Sequence, residues 1–198
     1  MIRILKLLIL GVFVQHSSYA QTLKINKEEQ AAHSITLPEK NELVEEFIKD
    51  LIKRTDGKVK HSDGMIIGRG TDSKELESGK NADLYFNLDK TKNDGKEVSV
   101  VTLAVKDEDG KFASDTLHEG LYNSAGKWLN SFQMKLEIFK KDKEIAELTA
   151  ELKSLTKKLN ALRKDTQKDN SKNLDAIKDN ERALSDLSKR LEALQKSN

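Results

Sequence analysis

VSVVTLAV, residues 98–105, decides the fold. It is apolar on both alternating sets of positions, and several of its residues are β-branched. A strand of that kind is covered on both faces and belongs in the middle of a sheet. The turn signal Asp107–Gly110 follows it, and Lys111–Ala113 returns briefly. Upstream, Thr91–Gly95 ends in Asn-Asp-Gly, another turn, and Ala82–Leu88 (ADLYFNL) reads as the preceding strand. Earlier still, Lys58–Ser62 and Met65–Arg69 flank Asp63-Gly64. Asp-Gly supplies the positive φ of a two-residue hairpin, so these two segments pair. The fold class is therefore α+β, a small antiparallel sheet packed by helices.

Helices flank the strands. Thr36 and Glu39 have capping-box spacing, and Pro38 sits where a first turn tolerates it. Leu43, Val44, Phe47, Ile48, Leu51 and Ile52 then recur at helical spacing until Asp56-Gly57 ends the run. Residues 21–35 are polar and weakly patterned. Apart from a short alternation at Thr22–Asn26, which suits an edge strand, they read as a flexible leader. Beyond the sheet, Ser114 or Asp115 is placed to cap a second helix with Leu117, Leu121 and Tyr122 on its apolar side. Gly120 and Gly126 predict a break near Asn123–Gly126. Trp128, Leu129, Phe132, Leu136 and Phe139 then form a stripe expected to cover the sheet as core, rather than to build an aromatic cage. The α+β domain is expected over residues 36–139.

Residues 140–198 carry a heptad pattern. Ile145, Leu148, Leu152, Leu155, Leu159 and Leu162 follow alternating steps of three and four, and so do Ile177, Asn180, Leu184, Leu187, Leu191 and Leu194. These are seam positions of a coiled coil. The stretch between the blocks, RKDTQKDNSKN, holds no apolar residue, and the second block is out of phase with the first. A turn near Asp169–Ser171 sets Ile145 against Leu194, Leu152 against Leu187, and Leu162 against Ile177. An antiparallel hairpin is favoured over one long helix, which would run roughly 100 Å and would have to self-associate. Asn180 either fixes register at a cost in stability or sits solvated near a frayed end.

The first twenty residues read as an address. Arg3 and Lys6 precede the apolar run LLILGVFV, and Ser18-Tyr19-Ala20 ends the segment. This is the layout of a secretory signal peptide cleaved after Ala20. The run is too short to span a bilayer, which takes about 20 residues. A periplasmic or secreted location is expected, without membrane insertion after cleavage. The 198 residues hold 35 Lys plus Arg against 33 Asp plus Glu, so removing Arg3 and Lys6 leaves a balanced chain. Balanced charge gives no footprint for nucleic acid. The absence of Cys excludes disulfides, thiolate metal sites and a Cys nucleophile.

No residue constellation points to catalysis. His33 falls in the expected leader. His61-Ser62-Asp63 holds triad residue types, but a triad is a spatial arrangement, and a hairpin turn explains these residues. His118-Glu119 belongs to a helix first turn, where Glu119 suits the helix dipole. Gly68-Arg69-Gly70 lacks the third glycine of a dinucleotide fingerprint and reads as a strand end or bulge. Asp107-Glu108-Asp109-Gly110 lacks the rest of a calcium loop and reads as a turn. No catalytic, cofactor-binding or metal-ligating residue is assigned, and no cofactor is expected.

The order of helix, hairpin, strands and helix, with GMIIGRG, ADLYFNL and VSVVTLAVKDEDGKF, resembles small secreted bacterial domains of unknown function with a TATA-binding-protein-like fold. The resemblance covers about residues 36–135. That family carries no established catalytic residues, so none is implied here. The expected function is that of an exported, non-enzymatic interaction or structural protein. Its coiled coil would mediate self-association or docking of a protein partner. The alternative is a small-molecule or polymer-binding module using the sheet face of the α+β domain.

Overall fold

In a computed structural model, which describes residues 19–72, 74–76, 81–166 and 173–196, the two-faced strand lies inside a six-stranded antiparallel sheet. The elements are β1 (Tyr19–Ile25), β2 (Glu28–Leu37), α1 (Asn41–Arg54), β3 (Lys58–Ser62), β4 (Met65–Thr71), β5 (Ala82–Asn93) and β6 (Lys96–Lys106). They are followed by α2 (Glu119–Asn130), α3 (Phe132–Thr166) and α4 (Leu174–Lys196). The strand order is β1-β2-β6-β5-β4-β3. Strand β6 pairs with β2 on one side and β5 on the other, and it is buried almost continuously from Val98 to Val105. The chain is α+β, with a helical pair at its C-terminal end. It divides into two units between Gln133 and Met134.

Three two-residue turns set the registers. Asn26-Lys27, Asp63-Gly64 and Asp94-Gly95 each have positive φ at both residues, which matches the right-handed twist of hairpin strands. They place Ile25 opposite Glu28, Ser62 opposite Met65, and Asn93 opposite Lys96. The expected hairpin at Asp63-Gly64 is present. Strand β5 runs on past Leu88 through residues expected to be loop, because it pairs with β6 along its whole length.

Residues 21–35 are not a flexible leader. They lie in β1 and β2, and β2 pairs with β6 from His33 to Leu37. Local polarity hid this hairpin, because its stabilisation is non-local: Leu23, Ile25, Ala32, Ile35 and Leu37 are all buried in the fold. For the same reason Thr36 caps no helix. It pairs with Val100, and α1 starts later, after Lys40, without a side-chain cap. The connection is held instead by the Ser99 hydroxyl, which donates to the Glu39 carbonyl at 2.8 Å.

Helices α1 and α2 cover one face of the sheet. Helix α1 buries Val44, Phe47, Ile48 and Ile52. Phe132 meets Phe47 and Trp128 edge-on, with ring centroids 5.3 and 4.8 Å apart, and Phe86 of β5 lies 6.2 Å from each of Trp128 and Phe132. Of the expected stripe, Trp128, Leu129, Phe132 and Leu136 are buried, whereas Phe139 is half-buried.

Ser114 and Asp115 do not cap α2. The Ser114 hydroxyl accepts from the Thr116 and Leu117 amides in a local turn, and the helix begins after His118, whose φ is +58°. No break falls at Asn123–Gly126 either, since α2 is continuous to Asn130. Gly126 is there for space. A Cβ at this position would lie 2.8 Å from His33 Cε1, so glycine lets the helix approach β2. Gly126→Ala should therefore destabilise the fold by about 1–3 kcal/mol through overpacking, although alanine is the better helix former. Denaturant unfolding of the single variants and of the Gly126→Ala/His33→Ala pair checks this, with strong non-additivity expected.

Candidate functional site

The sheet face opposite the helices buries its own apolar row: Leu23 and Ile25 of β1, Ala32 of β2, Ala104 of β6, Tyr85 of β5, and Met65 and Ile67 of β4. Phe112 packs against the same cluster, its ring 5.2 Å from that of Tyr85. The return of the chain after β6 delivers it, for Ala113 N–H donates to the Val105 carbonyl and Phe112 bridges Lys106.

At one end of this face lies a groove of about 330 Å³, lined by Ile25 and Asn26 of the first hairpin, Lys60–Asp63 of the second, and Met65, Ile67, Arg69 and Tyr85. β1 and β3 are opposite edges of the sheet. With strands about 4.8 Å apart, a flat six-stranded sheet would hold its edges roughly 24 Å apart. Both edges line one small groove, so the sheet is strongly curled around this face.

The rim is polar by construction. In register, Lys60 stands opposite Ile67 and Lys58 opposite Arg69, so these cations share the face of the apolar row. Strand β4 carries a bulge between Gly68 and Thr71, with Gly70 at φ +63°, and this is the expected bulge reading of Gly68-Arg69-Gly70. Asp83 spans the bulge: one carboxylate oxygen pairs with the Arg69 guanidinium, and the other accepts the Gly70 amide at 3.0 Å. The guanidinium lies 5.4 Å from the Tyr85 ring centroid. Burial raises the Tyr85 phenol above its ordinary pKa, opposed by the adjacent Arg69.

A second depression of about 200 Å³ lies between α1 and the β3–β4 hairpin, lined in part by Asn41, Glu42, Glu45, His61 and Lys90. Its charges are paired: Lys90 reaches Glu42 at 2.9 Å and Glu97 at 3.7 Å, and its hydrogen bond holds the Glu42 carboxyl below the usual range.

The histidines occupy different settings. His61 is exposed on β3 and touches both depressions. His118 pairs with Asp107 at 2.9 Å and lines neither. Asp107 also accepts the Lys111 amide at 2.7 Å, so it serves the turn after β6. His33, expected in a leader, is buried between β2 and α2. Its Nε2 lies 2.9 Å from the Tyr122 carbonyl oxygen, and its ring stacks 4.1 Å from that of Tyr122. Among the described residues no group of three or more His, Cys, Asp or Glu is placed to hold a metal ion, and no helix is long and apolar enough to cross a membrane. The expected signal segment lies outside the described residues up to Ser18.

In the C-terminal unit, Leu148 and Leu159 are buried and the other ten seam residues are half-buried. Asn180 donates to the Ala176 carbonyl of its own helix at 2.7 Å. The expected turn near Asp169–Ser171 lies outside the described residues. Comparison with protein-family models, curated proteins and solved structures finds no match to this chain.

His33 makes folding stability depend on pH. Burial lowers its pKa from 6.5, only partly offset by the Tyr122 carbonyl. The unfolded state therefore takes up the proton more readily than the folded one. Stability should be greatest above pH 6.5, decline as pH falls below it, and level off once the lowered folded value is passed. Thermal melts of wild type and His33→Gln between about pH 7 and pH 5 check this, with a shallower slope expected in the variant.

Proposed function

We propose that the chain is an exported, non-enzymatic interaction protein. Its C-terminal helical pair acts as an antiparallel coiled-coil hairpin that docks a protein partner or a second copy. The observation that carries this is a pair of ion contacts. Arg163 of α3 meets Glu181 of α4 at 2.7 Å, and Glu144 of α3 meets Arg190 of α4 at 2.8 Å. With Ile145 and Ile177 at heptad position a, Arg163 and Glu181 both fall at e, and Glu144 and Arg190 both fall at g. Pairs of like position, e with e and g with g, flank the seam when helices run antiparallel, whereas parallel helices pair g with e. The two contacts also bracket the register that opposes Ile145 to Leu194 and Leu162 to Ile177. In that register every layer sets an a residue against a d residue, and Asn180 faces Leu159.

Export is supported by the signal-like first twenty residues. Cleavage after Ala20 leaves Gln21–Ile25 of β1, including the buried Leu23 and Ile25. The likeness to TATA-binding-protein-like domains is supported by the succession of β2, α1, four antiparallel strands and α2. A second reading, a ligand-binding module on the sheet face, is favoured by the groove between β1 and β3.

The absence of cysteine makes the hairpin directly testable. In the Leu152→Cys/Leu187→Cys variant, oxidation should give an intramolecular disulfide, while light scattering reports the mass. Disulfide-linked dimers with no intramolecular product would refute the hairpin and favour a long self-associating helix. Deletion of residues 140–198 should abolish any self-association that the intact chain shows.

A further inference from the structure

We infer that the mature N-terminus is a modification site: Gln21, freed by cleavage after Ala20, closes on itself to pyroglutamate with the help of the Ser34 hydroxyl. This rests on the export reading above, since only cleavage at that bond turns the Gln21 nitrogen into an amine. Glutamine at a free N-terminus carries both reactants in one residue, because a five-membered ring joins its amine to its side-chain carbonyl carbon. Holding two reacting groups together makes the attack effectively unimolecular. The strand register favours it. Gln21 pairs with Ala32, yet its Oε1 accepts from Ser34, which stands opposite Tyr19. The side chain therefore leans toward the N-terminal side of its own residue, where the amine stands once Tyr19 and Ala20 are gone.

The fold also supplies a donor for the charge that develops. Ser34 is buried and gives its one hydroxyl proton to Gln21 Oε1 at 2.7 Å. Its contact with Thr102 Oγ1 at 2.8 Å then uses the proton of Thr102, which is also buried. This chain of donors, from Thr102 through Ser34 to Gln21, polarises the side-chain carbonyl, and successive bonds strengthen one another. In the closure the neutral amine adds to Cδ, and the oxygen that gathers negative charge is Oε1, the atom Ser34 already holds. The bond from the amine nitrogen to Cδ forms, the Cδ–Nε2 bond breaks, and an amine proton leaves with Nε2 as ammonia. No other reactant is consumed. Gln21 is exposed on an edge strand, so ammonia escapes to solvent. The lactam has no ammonium group, and enzymes that trim chains from a free amine lose their handle on β1, which carries the buried Leu23 and Ile25.

The intact mass of the exported protein tests the site. A chain that begins at residue 21 and is lighter by one ammonia is expected. A chain that begins with an open Gln21 overturns the modification and leaves export standing, whereas any other N-terminus overturns both. The part given to Ser34 is tested on protein released in the cold from a fusion cut directly before Gln21. At about pH 8 an α-amine, with its pKa of about 7.7–8.0, is at least half neutral and able to attack. Closure there should run at least about tenfold faster in the folded protein than in the free peptide QTLKIN or in Ser34→Ala. That is a modest share of the roughly 10²–10³ an enzyme loses with one oxyanion donor. Circular dichroism verifies the folding of Ser34→Ala, and the peptide comparison stands without it. A rate in the folded protein equal to that of the peptide, or unchanged by the substitution, overturns the part given to Ser34.

Discussion

The α+β unit depends on one constraint: its central strands are apolar on both faces. In β6, Val101, Leu103 and Val105 point one way, and Thr102 and Ala104 the other, and all five are buried. Helices α1 and α2 cover the first set. The second set is covered by the curl of the sheet, which brings β1 and Phe112 over the row running from Ala32 to Ile67. Burying a Leu or Ile side chain is worth about 1.5–3 kcal/mol. Leu23 and Ile25 therefore hold an otherwise polar edge strand in place. The hydroxyls on this face are satisfied within it. Ser34 donates to Gln21 at 2.7 Å and meets Thr102 at 2.8 Å, which ties β1, β2 and β6 together.

The same curl creates the groove. Two edges drawn together without pairing leave a gap whose floor is core and whose walls are strand edges. Such edges invite pairing with other chains unless they are short or charged. Strand β3 is both: it has five residues and presents Lys58, Lys60 and His61. The cations on the rim thus have a structural role in keeping the edge soluble, and they give the groove its electrostatic character. The bulge in β4 adds to this, because it lets Asp83 grip both Arg69 and the Gly70 amide and so fixes the guanidinium over Tyr85.

What was legible in the sequence was local. VSVVTLAV announced a central strand, Asp63-Gly64 announced a tight hairpin, and the stripe from Trp128 to Leu136 announced core. Each signal lies within a few residues of what it specifies. Of the first hairpin only the edge strand at Thr22–Asn26 was legible, because Asn26-Lys27 lacks the glycine that marks such turns, although both residues adopt positive φ. Its strands are held by pairing with β6, by the packing of α2 on β2 and by the buried row shared with β4 and β5, all many residues away. Gly126 misled for a related reason. Read alone it breaks a helix, but read against His33 it is the space through which the helix reaches the sheet. The groove had no sequence signal beyond the alternation of Lys58 and Lys60, since its walls come from opposite ends of the sheet order.

The heptad blocks illustrate the opposite limit. Their periodicity specifies which residues would face a seam in the proposed hairpin, and those residues are buried or half-buried, as are Lys141, Glu144 and Ala183 beside them. Periodicity does not specify direction, because a block with steps of three and four mirrors onto any other. Direction is carried by the flanking charges, and these are informative only as pairs. Arg163 with Glu181 and Glu144 with Arg190 are attractive in the antiparallel register, whereas each of the four residues alone is one more charge on a solvated helix. Surface pairs of this kind contribute little to stability, about 0–1 kcal/mol each. Their weight in the proposed hairpin is therefore in choosing orientation, while the leucines supply the affinity. Ten of the twelve seam residues stay only half-buried, as expected when two helices cover one another without a third. The seam flanks are thus where a docking partner would gain most by adding apolar contact.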